Sequence, residues 1–149
     1  KLKHLLNMNE KFEPKRSMNV HIDDDTLWRI KKEANPEACT VVHCTYVAKL
    51  KYVNGGWVNI NAKTVLHIAE GFMKKPEQLK LLHAFNIPIA PAKHYFSQAG
   101  DVIRFTLYFP PLPSDWTSFT LLEDTEYFDG FAACGIPRNS TGVYEVFLR

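Results

Sequence analysis

The alternation in Val102–Phe109 (VIRFTLYF) constrains this chain more than any other stretch, because it places Ile103, Phe105, Leu107 and Phe109 on one side. A period of two is the pattern of an extended strand with one buried face. Gly100-Asp101 precedes the run and Pro110-Pro111-Leu112-Pro113-Ser114-Asp115 follows it. Successive prolines fix φ and remove backbone donors, so the chain must leave a sheet at that corner.

The same period recurs along most of the sequence. Thr40–Leu50 (TVVHCTYVAKL) is dominated by β-branched and aromatic residues and reads as a strand. Thr26–Lys32 (TLWRIKK) alternates Trp28 and Ile30 against Arg29 and Lys31, which predicts a half-buried strand ended by a turn at Asn35-Pro36. Asn54-Gly55-Gly56 accepts positive φ and predicts a hairpin or tight turn before a strand at Trp57–Asn61, with another at Thr64–Ile68. Leu79–Ile89 returns to strand character and is punctuated by Pro88 and Pro91, with a loop over Ala92–Gly100. Ser118–Glu123 and Gly142–Leu148 complete the strong strands, and Phe131–Ile136 is a weaker one. Glu70–Glu77, broken by Gly71 and Pro76, reads as a polar connection.

Residues 1–25 read as an N-terminal leader segment, where Leu2, Leu5, Leu6 and Phe12 could line a short helix limited by Pro14. Residues 26–149 read as one domain. Roughly seven to nine short strands with turn signals about every 8–12 residues predict an all-β fold, an antiparallel β-sandwich, with a closed barrel as the alternative.

Composition narrows the function classes. The chain of 149 residues is 46% hydrophobic, long enough to form one sizeable core. No apolar run approaches about 18 residues, which excludes a membrane-spanning helix. A net charge of +2 is far from the balance of a dedicated nucleic-acid binder. The three cysteines, Cys39, Cys44 and Cys134, are too few for a disulfide scaffold. One bridge from Cys134 to either of the others would need Cα atoms within about 7 Å; the alternative is three small buried apolar residues.

Several motifs, in order, carry a resemblance. They are TLWRI, CTVVHCTY, GGWVNINAKTVL, LLHAFNIPIAP, GDVIRFTLYFPPLP, SFTLLED and FAACGI, spanning about residues 26–136. This order resembles a family of small bacterial immunoglobulin-like sandwich domains found in exported proteins. The matching positions are Thr40-Val41-Val42 with Tyr46, Trp57-Val58-Asn59-Ile60, and Ile87-Pro88-Ile89-Ala90-Pro91. The corner from Phe105 to Pro113 and the strand from Phe119 to Glu123 complete them. Where members tend to carry Trp before the final Gly-Ile, this chain has Phe131-Ala132-Ala133-Cys134-Gly135-Ile136. The resemblance implies an immunoglobulin-like fold and a periplasmic or extracellular location, and it implies no reaction.

The six histidines (His4, His21, His43, His67, His83, His94) form no zinc spacing, though His43, His67 and His83 lie mid-strand and could converge. His83 would share a strand face with Leu79, Leu81 and Phe85. His43 and Cys44 are adjacent, so a strand sends their side chains to opposite faces and they cannot form a thiol–imidazole pair. Asp23-Asp24-Asp25 lacks the glycine and closing glutamate of a calcium loop and reads as a solvated turn. Asn139-Ser140-Thr141 fits a glycosylation sequon and reads as a turn.

Aromatic residues beside turns are the remaining signal. Tyr52 and Trp57 flank Asn54-Gly55-Gly56, and Trp116 follows the proline corner, where exposure is expected. Rings at loop ends stack on sugars or anchor protein partners. The sequence therefore points to a non-catalytic secreted or periplasmic interaction or accessory domain, without cofactor or metal, taking a protein partner or a glycan. The alternatives are a carbohydrate-binding module using Tyr52, Trp57 and Trp116, or a metal-dependent enzyme using the strand histidines.

Overall fold

The computed structural model describes residues 22–68, 77–123 and 130–148. The helix suggested by Leu2–Phe12, the connection through Gly71 and Pro76, and His4 and His21 lie outside them. Two units are present, Lys1–Ala38 and Cys39–Arg149. In the first, Asp24–Ala34 forms helix α1, which corrects the strand expected over Thr26–Lys32. The acidic run read as a solvated turn is its start. Asp23 is the N-cap and accepts from the Thr26 amide at 2.8 Å, Asp24 and Asp25 occupy the first turn, and Lys31 and Lys32 the last. Caps and dipole-matched charges of this kind favour a helix, and five alternating residues do not outweigh them. The turn at Asn35-Pro36 forms as expected, with Asn35 Oδ1 accepting from the Glu37 amide.

The second unit is built almost wholly of strands. β1 (Thr40–Val47) and β7 (Val102–Phe109) pair antiparallel over their full lengths. Their inner row holds Val42, Cys44 and Tyr46 against Leu107, Phe105 and Ile103, all buried. β10 (Val143–Leu148) runs parallel to the other edge of β1, a pairing the antiparallel expectation missed. β5 (His83–Phe85) closes the sheet in the order β10-β1-β7-β5. A second four-stranded sheet has the order β4-β3-β8-β9, from Gln78–Lys80, Val65–His67, Ser118–Leu122 and Ala132–Pro137. Leu66, Phe119 and Leu121 bring this sheet into the same hydrophobic core, where Phe119 stands edge-on to Tyr144 at 4.8 Å. The strands fall in separate sheets and not in one closed barrel.

The strand expected over Leu79–Ile89 is two strands in different sheets. Leu81 N donates to Thr64 O beside β3, while the next residue, Leu82, donates to Tyr108 O beside β7. The chain therefore changes sheets between these two leucines, and His83 does not share a face with Leu79. His83 lies on the outer side of the first sheet, its ring 5.9 Å from Tyr108.

A buried carboxylate joins the second sheet to its neighbours. Glu123 follows β8; its Oε2 accepts from Asn61 N at 2.6 Å and its Oε1 from Phe131 N at 3.0 Å. A buried carboxylate is tolerated when amide donors surround it. Removing it leaves those donors unpaired, so Glu123→Ala should lower stability by about 2–4 kcal/mol. Glu123→Gln, which turns an NH₂ toward one amide, should lose less. Denaturant unfolding of both variants checks this, and a loss within experimental error for Glu123→Ala would be contrary to it.

Candidate functional site

The ladder of β1 and β7 continues past its last strand pair. Ala48 N donates to Asp101 O at 2.7 Å, and Gly100 N donates to Ala48 O at 2.9 Å. The chain that leaves β1 and the chain that enters β7 are thus held side by side. On them sits a short ribbon, β2 (Trp57–Val58) paired antiparallel with β6 (His94–Tyr95). β6 lies inside the segment expected to be a loop. Trp57 pairs with Tyr95 in register, and directly opposed residues project to the same face. Both are open to solvent, Trp57 at 46% and Tyr95 at 68% relative exposure. Val58 and Phe96, their chain neighbours, are buried and root the ribbon in the core.

Two glycines make this arrangement attainable. Gly55 and Gly56 have φ of +76° and +71°, the left-handed region that favours glycine. A Cβ on Gly55 would lie 2.6 Å from Gln98 O, so the turn rests directly on the backbone before β7. A Cβ on Gly56 would lie 3.1 Å from the Tyr52 ring, which therefore packs over this glycine beside Trp57. Phe96 N donates to Gly56 O at 3.0 Å, and Asp101 Oδ2 accepts from Ser97 and Gln98 amides. Lysines cover the rings: Lys93 Nζ is 4.4 Å from the Trp57 centroid and Lys51 Nζ 5.1 Å from that of Tyr52. Such contacts are cation–π pairs, worth about 0.5–1 kcal/mol at exposed sites.

Beneath the ribbon lies an aromatic cluster. His94 stands edge-on to Phe96 at 5.2 Å, Phe96 lies 5.9 Å from Tyr46, and Phe131 meets Tyr46 edge-on at 5.2 Å. Phe131 is partly buried and packs against the core. Burial raises the Tyr46 hydroxyl above its ordinary range, with a smaller upward push from Tyr52.

Of the three expected site residues, Tyr52 and Trp57 share this surface and Trp116 does not. Trp116 is 1% exposed, which corrects the exposed position expected for it. The proline corner turns back on itself, Trp116 N donating to Pro113 O, and its indole N–H reaches Glu77 Oε2 at 3.4 Å. Arg138 clamps the corner through Pro113 O and Trp116 O. Tyr95 and Lys93 went unnoticed in the sequence, although Lys93-His94-Tyr95-Phe96 is a short aromatic run between Pro91 and Gly100.

The other chemical candidates are separated. His43 and His83 lie on the outer face of one sheet and His67 on the other sheet. His43 Nδ1 is 2.8 Å from Thr106 Oγ1, and His67 Nδ1 is buried without a hydrogen-bond partner. Among the described residues no three His, Cys, Asp or Glu side chains gather to hold a metal ion. No disulfide joins the three cysteines; Cys39 and Cys44 are buried and Cys134 is exposed on β9, so neither a Cys134 bridge nor a wholly buried set of thiols is found. Asn139 is engaged as a turn residue, its Oδ1 accepting from the Thr141 and Gly142 amides and its Nδ2 donating to Val143 O. Comparison with family models, with curated proteins and with solved structures returns no match.

Burial pushes the Cys44 thiol from 9.0 up to about 12. Above pH 9 the unfolded chain ionises this thiol while the folded chain keeps its proton. The stability that the neutral thiol contributes is therefore complete below that pH and lost as pH rises toward 12, at about 1.4 kcal/mol per unit. Unfolding midpoints measured on both sides of pH 9 should show this slope, and Cys44→Ala should flatten it. Gly55→Ala should cost more than about 1 kcal/mol, because both φ and the Gln98 contact oppose a side chain. Thermal unfolding of that variant at wild-type stability would show that the turn does not rest on Gln98.

Proposed function

We propose that the chain is a non-catalytic, exported interaction domain of immunoglobulin-like sandwich architecture, and that its binding face is the β2–β6 ribbon with Tyr52. The fold reading is supported by two four-stranded sheets sharing one core and by the sheet change at Leu81–Leu82. An experimental structure tests it: aligned sandwiches keep strand directions of the two sheets within about 30°. Secretion or a periplasmic location rests on the motif order in residues 26–136, which resembles exported bacterial domains. No described helix is long and apolar enough to cross a membrane.

One observation carries the binding reading: Trp57 and Tyr95 are in register on a rooted ribbon, and both remain exposed. Large rings that a protein could bury but holds in solvent mark recognition surfaces. A carbohydrate-binding role is the second reading, favoured by the same ring pair. Two observations weigh against it. Trp116 is removed from the surface, and Lys93 occupies one face of Trp57 that a sugar would use.

Titration with soluble oligosaccharides and peptides, followed by tryptophan fluorescence, tests the binding face. Ligands that bind should lose roughly thirtyfold or more in affinity to a Trp57→Ala/Tyr95→Ala double variant. Binding that is indifferent to both substitutions would place the site elsewhere.

A further inference from the structure

The turn that carries Tyr52 holds two features that ring stacking does not use. Leu50 is 84% exposed and Val53 is 95% exposed, so two branched aliphatic side chains stand free of the protein on one turn. Around them are Lys49 and Lys51 on the same turn and Lys93 over Trp57. Segments 48–63 and 86–98, which build the surface, contain no Asp or Glu at all. Two carboxylates bonded to these segments, Asp101 and Glu123, accept from backbone amides of Ser97, Gln98 and Asn61. The surface is thus apolar at its turn, aromatic beside it, and carries lysines at Lys49, Lys51 and Lys93.

Different occupants would use this chemistry to different extents. A neutral glycan would use Trp57 and Tyr95 but leave Leu50, Val53 and the lysines without a role. Single-stranded nucleic acid would use rings and lysines, and again not the aliphatic residues. A bilayer uses all three: aliphatic side chains enter the acyl boundary, Trp and Tyr settle at headgroup level, and lysines meet anionic headgroups. We infer that the 49–57 turn and the β2–β6 ribbon dock this domain on an anionic lipid surface, through Leu50 and Val53 with Lys49, Lys51 and Lys93. This rests on the proposal that the ribbon is the binding face, and it names what that face binds.

The magnitudes suffice for reversible binding. Removing a Leu or Val side chain from water is worth roughly ten- to a hundredfold in partition. Each lysine near an anionic leaflet adds about fivefold, and salt screens that part.

Co-sedimentation of the full chain with vesicles of phosphatidylcholine alone, or of phosphatidylcholine with an equal part of phosphatidylglycerol, tests the inference. Binding should favour the anionic vesicles by about a hundredfold and weaken steeply with salt. Leu50→Ser with Val53→Ser should reduce it by roughly a hundredfold or more, and Lys51→Gln or Lys93→Gln by about fivefold each. Leu50 and Val53 are exposed, so thermal unfolding of the Leu50→Ser/Val53→Ser variant should match wild type. Absence of binding to anionic vesicles, or binding unchanged in the Leu50→Ser/Val53→Ser variant, overturns the inference. If vesicles fail while an acidic oligosaccharide or an acidic peptide binds and loses affinity in Trp57→Ala/Tyr95→Ala, the lipid assignment falls and the ribbon remains the binding face. If that double variant and the Leu50→Ser/Val53→Ser variant both bind anionic vesicles as tightly as wild type, both readings fall together.

Discussion

The register of β1 against β7 is the constraint from which the rest of the second unit follows. Eight residues pair from Thr40↔Phe109 to Val47↔Val102. A slip of one residue would turn every inner side chain outward, since side chains alternate along a strand. Val42, Cys44, Ile103, Phe105 and Leu107 would then leave the core and the outer row would enter it. Because both strands are buried on their inner face, that register is worth many kcal/mol, at about 1.5–3 kcal/mol for each large apolar side chain buried. The parallel addition of β10 repeats the same rows, with Tyr144, Val146 and Leu148 beside Val42, Cys44 and Tyr46.

This register also determines where the proposed binding surface lies. The segments following Val47 and preceding Val102 must emerge at the same end of the ladder, and the Ala48–Asp101 bonds hold them there. Tyr95 is distant in sequence from Tyr52 and Trp57, yet all three belong to those two segments. The second sheet contributes from the side, because Glu123 ties the end of β8 to Asn61, just past the ribbon, and to Phe131 of the aromatic cluster. A buried carboxylate with two amide donors is directional in a way that apolar packing is not, and so it locates these segments relative to one another.

How much of this was legible in the sequence depended on how local the deciding physics was. β1, β7, β8 and β10 carry runs of β-branched and aromatic residues; burial keeps the period of two over residues 102–105 and 42–47 and along β8 and β10, whereas residues 40–42 and 105–109 are buried on both faces. α1 was misread because five alternating residues in TLWRI also fit a helix, and the Asp23 cap decides between them. The break at Leu81–Leu82 has no local mark: LKLLHAF reads as one strand, and only the competition between Thr64 O and Tyr108 O for successive amides divides it. Trp116 failed for a related reason. A proline corner usually points outward, but Arg138, remote in sequence, clamps this one with its indole inside.

Tyr52 and Trp57 were legible as turn-flanking rings, whereas Tyr95 became visible only through its pairing partner. That difference bears on how the surface works. Trp57 is held by strand pairing on one side and by Lys93 on its face, so little rotamer freedom remains to be lost on binding. Leu50 and Val53 stand on a turn with almost all of their surface in water, and their ordering must come from whatever receives them. A rigid ring pair beside adaptable aliphatic side chains suits a receiving phase that is itself fluid, because such a phase offers depth without demanding a fixed shape. A glycan or a structured protein pocket would place the greater demand on shape, and the part of this surface able to meet it is the ribbon alone. The distribution of rigidity over the two halves of the surface therefore points the same way as its charge.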